Sequence, residues 1–130
     1  MQSPSTKALP SQSRAHVKAT TNGQPVVIVT GASQGIGAAL VSAYANAGYK
    51  VVANSRSIEV SSDANVLNVP GDIGDPQTTA RIMSQVDKLG RLDTLINNAG
   101  IFIAKPFTEY TFDEYEAITA VNLTGFFRIT

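Results

Sequence analysis

The stretch Val27–Gly37, "VIVTGASQGIG", decides the fold. It continues an apolar run, "VVIVT" (26–30), of the kind found in parallel strands that are buried on both faces. Gly31, Gly35 and Gly37 follow directly. Glycines between a strand and a helix let the backbone approach a phosphate, whose charge the helix N-terminus then stabilises. The stretch therefore predicts a nucleotide-binding loop, although a glycine turn that only packs closely is the plainer alternative.

The loop is typical of a dinucleotide site, because no Gly-Lys-Ser/Thr follows it as in a triphosphate P-loop. An acidic residue at the end of the second strand would bind the ribose hydroxyls and favour NAD. No acid occurs from Lys50 to Ile58, where Ser55 and Arg56 instead suit a 2′-phosphate. We therefore predict NADP, with NAD the less favoured cofactor. Gln34 in the glycine loop is neutral and so supplies no second cation for the 2′-phosphate. The alternative for Arg56 is an ordinary solvent-exposed loop arginine.

Short β-branched runs alternate with helical segments after Pro25, which predicts βαβ units and a parallel sheet. A helix is expected over Gly35–Ala47, with Ile36, Leu40 and Ala43 on one side. After the first strand, "VVIVT", three more are expected at "YKVVANS" (49–55), "NVLNVPG" (65–71) and "LDTLIN" (92–97). A short loop joins the second strand to the third, where a helical crossover is usual.

Two more helices are predicted from their start signals. Asp75-Pro76 offers an N-cap with proline in the first turn, and an apolar face of Ile82, Met83, Val86 and Leu89 runs to Gly90. Thr111 and Glu114 have the spacing of a capping box. The helix that they open is apolar nearly all round from residue 117 to 129, so we expect it to be buried.

Composition excludes several classes of function. Ten basic and ten acidic residues give no net charge, which disfavours nucleic acid and anionic membranes as partners. There is no cysteine and only one histidine, His16, so neither a metal site nor a Ser-His hydrolase is expected. No apolar run is long enough for a membrane span, and the predicted location is the cytoplasm. Residues 1–24 are predicted to be a disordered Ser/Thr/Pro/Gln-rich tail, with a transit peptide as the alternative.

Four motifs in a fixed order carry a family resemblance: "TGASQGIG" (30–37), "GDI" (71–73), "NNAG" (97–100) and "VNLTG" (121–125). Residues 25–130 thereby resemble the short-chain dehydrogenase/reductase family. The resemblance implies an α/β, Rossmann-like doubly wound parallel sheet, incomplete here, with strand order 3-2-1-4. It also implies a hydride transfer between NAD(P) and a small-molecule carbonyl or secondary alcohol, with homo-oligomers usual in the complete enzymes.

Matching the family's motifs position by position implies a set of site residues. The Asp72 carboxylate would accept a hydrogen bond from the adenine amino group, and Asn122 would help to hold a proton-relay water in catalysis. With Ser55 and Arg56 from the end of the second strand, the predicted cofactor-binding residues are Gly31, Ser33, Gln34, Gly35, Ile36, Gly37, Ser55, Arg56, Asp72, Ile73, Asn97, Asn98, Ala99 and Gly100. Each motif alone has an ordinary structural explanation, such as a turn aspartate or a packed helix asparagine.

The sequence departs from the family in its catalytic residues. The family uses a tyrosine whose pKa is lowered by a lysine four positions later, but the four tyrosines here are followed at that position by Gly48, Ala53, Glu114 and Thr119. We therefore expect a truncated, inactive form that associates through an exposed fourth strand and last helix. The alternative is a free-standing nucleotide-binding module or a non-catalytic partner of a complete relative. A nucleotide-sugar epimerase is disfavoured because such enzymes space their glycines differently.

Overall fold

A computed structural model describes residues 23–130. The elements follow the order β1 (Val26–Thr30), α1 (Gly35–Asn46), β2 (Lys50–Ser55), β3 (Val66–Pro70), α2 (Pro76–Leu89), β4 (Thr94–Ile96), a 3-10 turn (Phe107–Glu109), α3 (Phe112–Thr119), a π-helical segment (Ala120–Gly125) and α4 (Phe126–Ile129). The predicted tail lies outside the described residues except for Gly23 and Gln24.

The four strands form one parallel sheet in the order β3-β2-β1-β4, which confirms the predicted topology. Ile28 in β1 pairs with Val52 in β2 and with Leu95 in β4. Every residue of β1 is buried, as its continuous apolar run predicts. A loop without a helix joins β2 to β3, also as predicted.

Successive residues of β1 point to opposite faces of the sheet and so contribute to two apolar clusters. Val27 and Val29 pack toward α1, together with Val51 and Ala53 of β2. The opposite face is larger, because both α2 and the chain's last helical stretch cover it. Its cluster consists of Val26, Ile28, Val52, Val69, Ile73, Ile82, Val86, Val121 and Ile129.

The predicted face of α1 is wrong. Ile36 is 74% exposed and Ala43 is also exposed, while Leu40 alone of the three packs against the sheet. Gly37 and Ala45 are the buried residues of the helix instead. The reason is the close approach at Gly37, where a Cβ atom would lie 2.0 Å from the Gly31 carbonyl oxygen. That contact fixes the rotation of α1 about its axis and leaves Ile36 beside the glycine loop.

Both predicted helix starts are confirmed. Asp75 accepts a hydrogen bond from the Gln77 amide and Pro76 begins α2, which ends at Gly90 in a left-handed conformation. Thr111 and Glu114 form the capping box of α3. The strand β4 is shorter than predicted, because the chain turns after Ile96 and the Asn98 amide bonds to the Ile96 carbonyl.

The last helical stretch is not buried all round. Val121, Gly125 and Ile129 face the core, whereas Leu123, Phe126 and Phe127 are exposed. Helices and sheet formed by residues 23–130 cover only one side of it. None of the helices in this part of the chain combines the length and apolar character needed to cross a bilayer.

Candidate functional site

The carboxyl ends of the four strands meet at one edge of the sheet and border a cleft of about 520 Å³. Clefts at this edge are where open α/β sheets bind ligands. The lining consists of Gly31, Ser33, Gln34, Gly35, Ile36, Gly37, Asn54, Ser55, Arg56, Ser57, Gly71, Asp72, Ile73, Asn98, Ala99, Gly100, Ile101 and Val121. All of the predicted cofactor residues except Asn97 therefore lie around one cleft.

The glycine loop presents the N-terminus of α1 to this cleft. Gly31 and Gly35 have positive φ angles of 64° and 54°, which glycine adopts without strain. The N-cap Gln34 makes no side-chain capping bond and the first turn of α1 has no acidic residue. The first amides of a helix lack intrahelical partners and attract anions. A Cβ added at Gly35 would meet no protein atom within 4 Å, so the space in front of this glycine is open.

Polar side chains hold the ends of the strands together. Buried Asn54 donates to the carbonyls of Val69 and Gly71, at 2.9 and 3.1 Å, and so ties β2 to β3. The Ser55 hydroxyl donates to the Ser33 hydroxyl at 2.8 Å and joins the end of β2 to the glycine loop. These bonds fix the side of the cleft that Arg56 borders. The sequence predictions missed Asn54, although an asparagine inside an apolar buried strand signals a residue with obligatory hydrogen bonds.

A second group of bonds joins β1 to the loop after β4. The Thr30 hydroxyl accepts from the amides of Asn98 and Ala99, at 3.1 and 3.0 Å. The Asn98 side chain donates to the carbonyls of Thr30 and Gly31 at 3.1 Å. Asn98 thus braces the sheet beside the cleft. Asn97 lies outside the lining and donates to the Thr130 hydroxyl instead.

Asn122 lies in the π-helical segment and contacts the loop after β4. Its Oδ1 accepts from the Ile101 amide at 2.8 Å and its Nδ2 donates to the Ile101 carbonyl at 2.9 Å. Both ends of the side-chain amide are therefore engaged by one residue that lines the cleft. The side chain positions the loop and is not itself among the lining residues.

The charged groups with shifted pKa values lie away from the cleft. A hydrogen bond from Lys105, together with the Thr111 amide, lowers the pKa of Glu114. A hydrogen bond from Arg91, together with the Val26 amide, lowers the pKa of Asp93. Neither carboxylate lines the cleft. None of the four tyrosines lines it either, and Tyr44 and Tyr49 pack edge to face at 4.9 Å beside α1.

Comparison with known proteins agrees with this geometry. Residues 25–130 match the sequence model of the family described as short chain dehydrogenase. The chain belongs to the short-chain dehydrogenase family. Versicolorin reductase of Emericella nidulans is 37% identical in an alignment of 115 residues that covers 80% of this chain and 44% of that protein.

Two solved structures share the fold of this short-chain dehydrogenase chain. One is the short chain dehydrogenase of Leptospira borgpetersenii with bound NAD⁺, which has a TM-score of 0.74 and 27% identity over 82% of this chain and 43% of that chain. The other is ElxO with NADP bound, with a TM-score of 0.72 and 28% identity over 82% of this chain and 47% of that chain. The chain spans less than half the length of these relatives.

Proposed function

We propose that residues 25–130 are the cofactor-binding part of an NADP(H)-dependent oxidoreductase. The complete enzyme would move a hydride between the nicotinamide and a small-molecule carbonyl or secondary alcohol. The observation that carries this proposal is a cleft at the carboxyl edge of the sheet, which gathers the glycine loop, the end of β2 and the loops after β3 and β4. Family membership supports the reaction class.

The chain's own residues supply distinct parts of the binding. The free amides at the start of α1 would hold the pyrophosphate, with Gly35 leaving the space for it. Asp72 and Ile73 would contact the adenine, and Asn98–Gly100 would line the ribose side. Both ends of the Asn122 side-chain amide are bonded to the backbone of Ile101. Asn122 would therefore contribute to the proton relay by positioning the loop that carries Ile101.

The preference for NADP rests on the end of β2. Ser55 and Arg56 line the cleft there, and no carboxylate stands between Lys50 and Ile58 to bind free ribose hydroxyls. Arg56 is exposed and can turn toward a 2′-phosphate. One solved relative holds NADP and another holds NAD⁺. The proposed preference for NADP is therefore argued from this chain's own residues and not from its relatives.

Titration of the 130-residue chain with NADPH and with NADH, followed by fluorescence, tests the proposal. We expect saturable binding that favours NADPH. Arg56→Ala should weaken NADPH binding about tenfold and leave NADH binding unchanged, because only the former carries the 2′-phosphate. Lys88→Ala, which removes a charge from the end of α2, is the control. Equal loss for both cofactors in Arg56→Ala would contradict the assignment.

These 130 residues contain no Tyr-x-x-x-Lys, so we propose that they bind cofactor without turnover. NADPH oxidation by this chain in the presence of a range of ketones and aldehydes should stay at the rate without protein. A second candidate function, a non-catalytic binding partner, is favoured by the exposed Leu123, Phe126 and Phe127. It predicts that a complete relative co-purifies with the chain in a fixed ratio.

A further inference from the structure

Two hydrogen bonds within the loop after β3 hold its shape, one accepted by a side chain and one by the backbone. The Gly74 amide donates to Asp72 Oδ1 at 2.8 Å, and the Asp75 amide donates to the Asp72 carbonyl at 3.0 Å. Asp72 is exposed and lines the cleft. One oxygen of its carboxylate is thereby used, while Oδ2 accepts no hydrogen bond from residues 23–130. The shape of this tight turn therefore sets where the remaining oxygen lies.

The turn is also held from outside, by the chain's last helix. Arg128 Nη1 donates to the Gly74 carbonyl at 2.5 Å, across 54 positions of sequence. The peptide that joins Gly74 to Asp75 is consequently fixed at both ends, its carbonyl by Arg128 and its amide by Asp72. Charge-assisted hydrogen bonds of this kind are stronger than neutral ones.

Close packing brings the helix within reach of the turn. A Cβ atom at Gly125 would lie 2.8 Å from Ile73 Cγ2 and 3.0 Å from the Ile73 carbonyl oxygen. Only glycine permits this distance, and Ile73 itself is buried in the core beside Val121 and Ile129. Arg128 is thus carried by an element that is anchored directly against the turn.

We infer that Arg128 is a positioning residue for recognition of the adenine base. Arg128 donates to the Gly74 carbonyl, and the Gly74 amide donates to Asp72 Oδ1. Asp72 Oδ2 is left to accept from the exocyclic amino group of the adenine. This inference rests on the proposed function, since it presumes a dinucleotide in the cleft. Arg128 touches no part of the nucleotide and acts only through the turn.

Base discrimination reports this role more specifically than affinity does. Hypoxanthine carries a carbonyl oxygen where adenine carries the amino group, so the Asp72 carboxylate would face an acceptor instead of a donor. The ratio of the Kd for the hypoxanthine analogue of NADPH to the Kd for NADPH measures the quality of that contact. A general loosening of the fold weakens the binding of both ligands and leaves the ratio of their Kd values unchanged.

The experiment measures this ratio by fluorescence titration of the 130-residue chain and its variants. We expect a ratio of about ten for the unmodified chain, and a fall of about threefold or more in Arg128→Met. Arg128→Lys should keep most of the ratio, because an ammonium group can still donate to the Gly74 carbonyl. Arg128→Leu, which also lacks a donor, gives the same information as Arg128→Met if the methionine variant does not fold.

Arg81 provides a matched control. It also donates to a backbone carbonyl at the end of β3, that of Pro70 at 2.9 Å, and its other hydrogen bond goes to the Thr78 hydroxyl and not to the Asp72–Asp75 turn. Arg81→Met should leave the ratio unchanged. An unchanged ratio in Arg128→Met and Arg128→Leu, or an equal fall in Arg81→Met, would overturn the inference while the proposed function stands. Failure of the unmodified chain to bind NADPH would overturn both.

Discussion

At the scale of single residues, the three glycines of the loop have separable physical tasks. Gly31 and Gly35 adopt positive φ angles, whereas Gly37 is required by packing. A Cβ atom at Gly37 would lie 2.0 Å from the Gly31 carbonyl oxygen and 2.7 Å from Asn98 Nδ2. Neither neighbour can move freely, because the first is backbone and the second is bonded to Thr30 and Gly31.

We therefore expect Gly37→Ala and Gly35→Ala to fail in different ways. Gly37→Ala should lower the free energy of unfolding by about 3 kcal/mol, the upper part of the range for overpacking. Gly35→Ala should cost only about 1–2 kcal/mol for its left-handed backbone, yet abolish NADPH binding because its Cβ enters the phosphate space. Urea unfolding and NADPH titration of both variants measure the two effects. Equal stability of the two variants would contradict the separation.

The site residues were predictable from sequence where a motif specifies the backbone. The glycine loop, Asp72 and Asn98 all lie at the cleft because a strand end or a helix start places them there. Asn54 and Thr30 were missed, since their hydrogen bonds join strands that are distant in sequence. The side chain of Asn97 turns to Thr130, a contact that no local pattern encodes.

At the scale of elements, the start of α3 depends on Glu114 in two ways. Its carboxylate completes the capping box and pairs with Lys105 in the loop after β4. Lys105 and the Thr111 amide lower the pKa of this carboxyl below its usual value. The folded pKa is lower than the unfolded one, so the stabilisation is fully present above about pH 4.5 and disappears as the pH falls through the folded pKa.

Glu114→Gln isolates the charge, because glutamine can still close a capping box. The variant should melt at a lower temperature than the unmodified chain at pH 7, and this difference should shrink below pH 4.5 and in high salt. Thermal melts at several pH values provide the measurement. Glu116→Gln, an exposed position on the same helix, is the control. A difference that stays constant down to pH 3 would show that the charge is not the cause.

Element types and starts were predictable because their signals are local, as at Asp75-Pro76 and at Thr111. The rotation of α1 was not, since a contact between Gly37 and Gly31 sets it and the apolar pattern of the helix is weak. The π-helical segment was also missed. It brings Ala120 and Gly125 against Gly74 and Ile73, a fit between elements far apart in sequence.

At the scale of the whole molecule, the described part of the chain leaves apolar surface uncovered on one side. Beyond β4 the sheet has no further strand among residues 23–130, and the last helical stretch exposes three large side chains. Leu123, Phe126 and Phe127 are 64%, 51% and 80% exposed. Clustered apolar residues of this kind favour association, in contrast to single exposed ones.

We expect the 130-residue chain to self-associate through this surface. Burying one phenylalanine is worth about 2 kcal/mol, and a symmetric dimer buries each position twice. Phe127→Asp should therefore weaken dimerisation at least tenfold in sedimentation equilibrium. Phe102→Asp is the matched control, because Phe102 is 85% exposed but lies in the loop after β4. If both substitutions weakened association equally, non-specific contact between exposed aromatic residues would explain it better than a defined interface. Loss of association in Phe127→Asp alone would locate the interface on the last helix, on the side of the molecule away from the α1 face of the sheet.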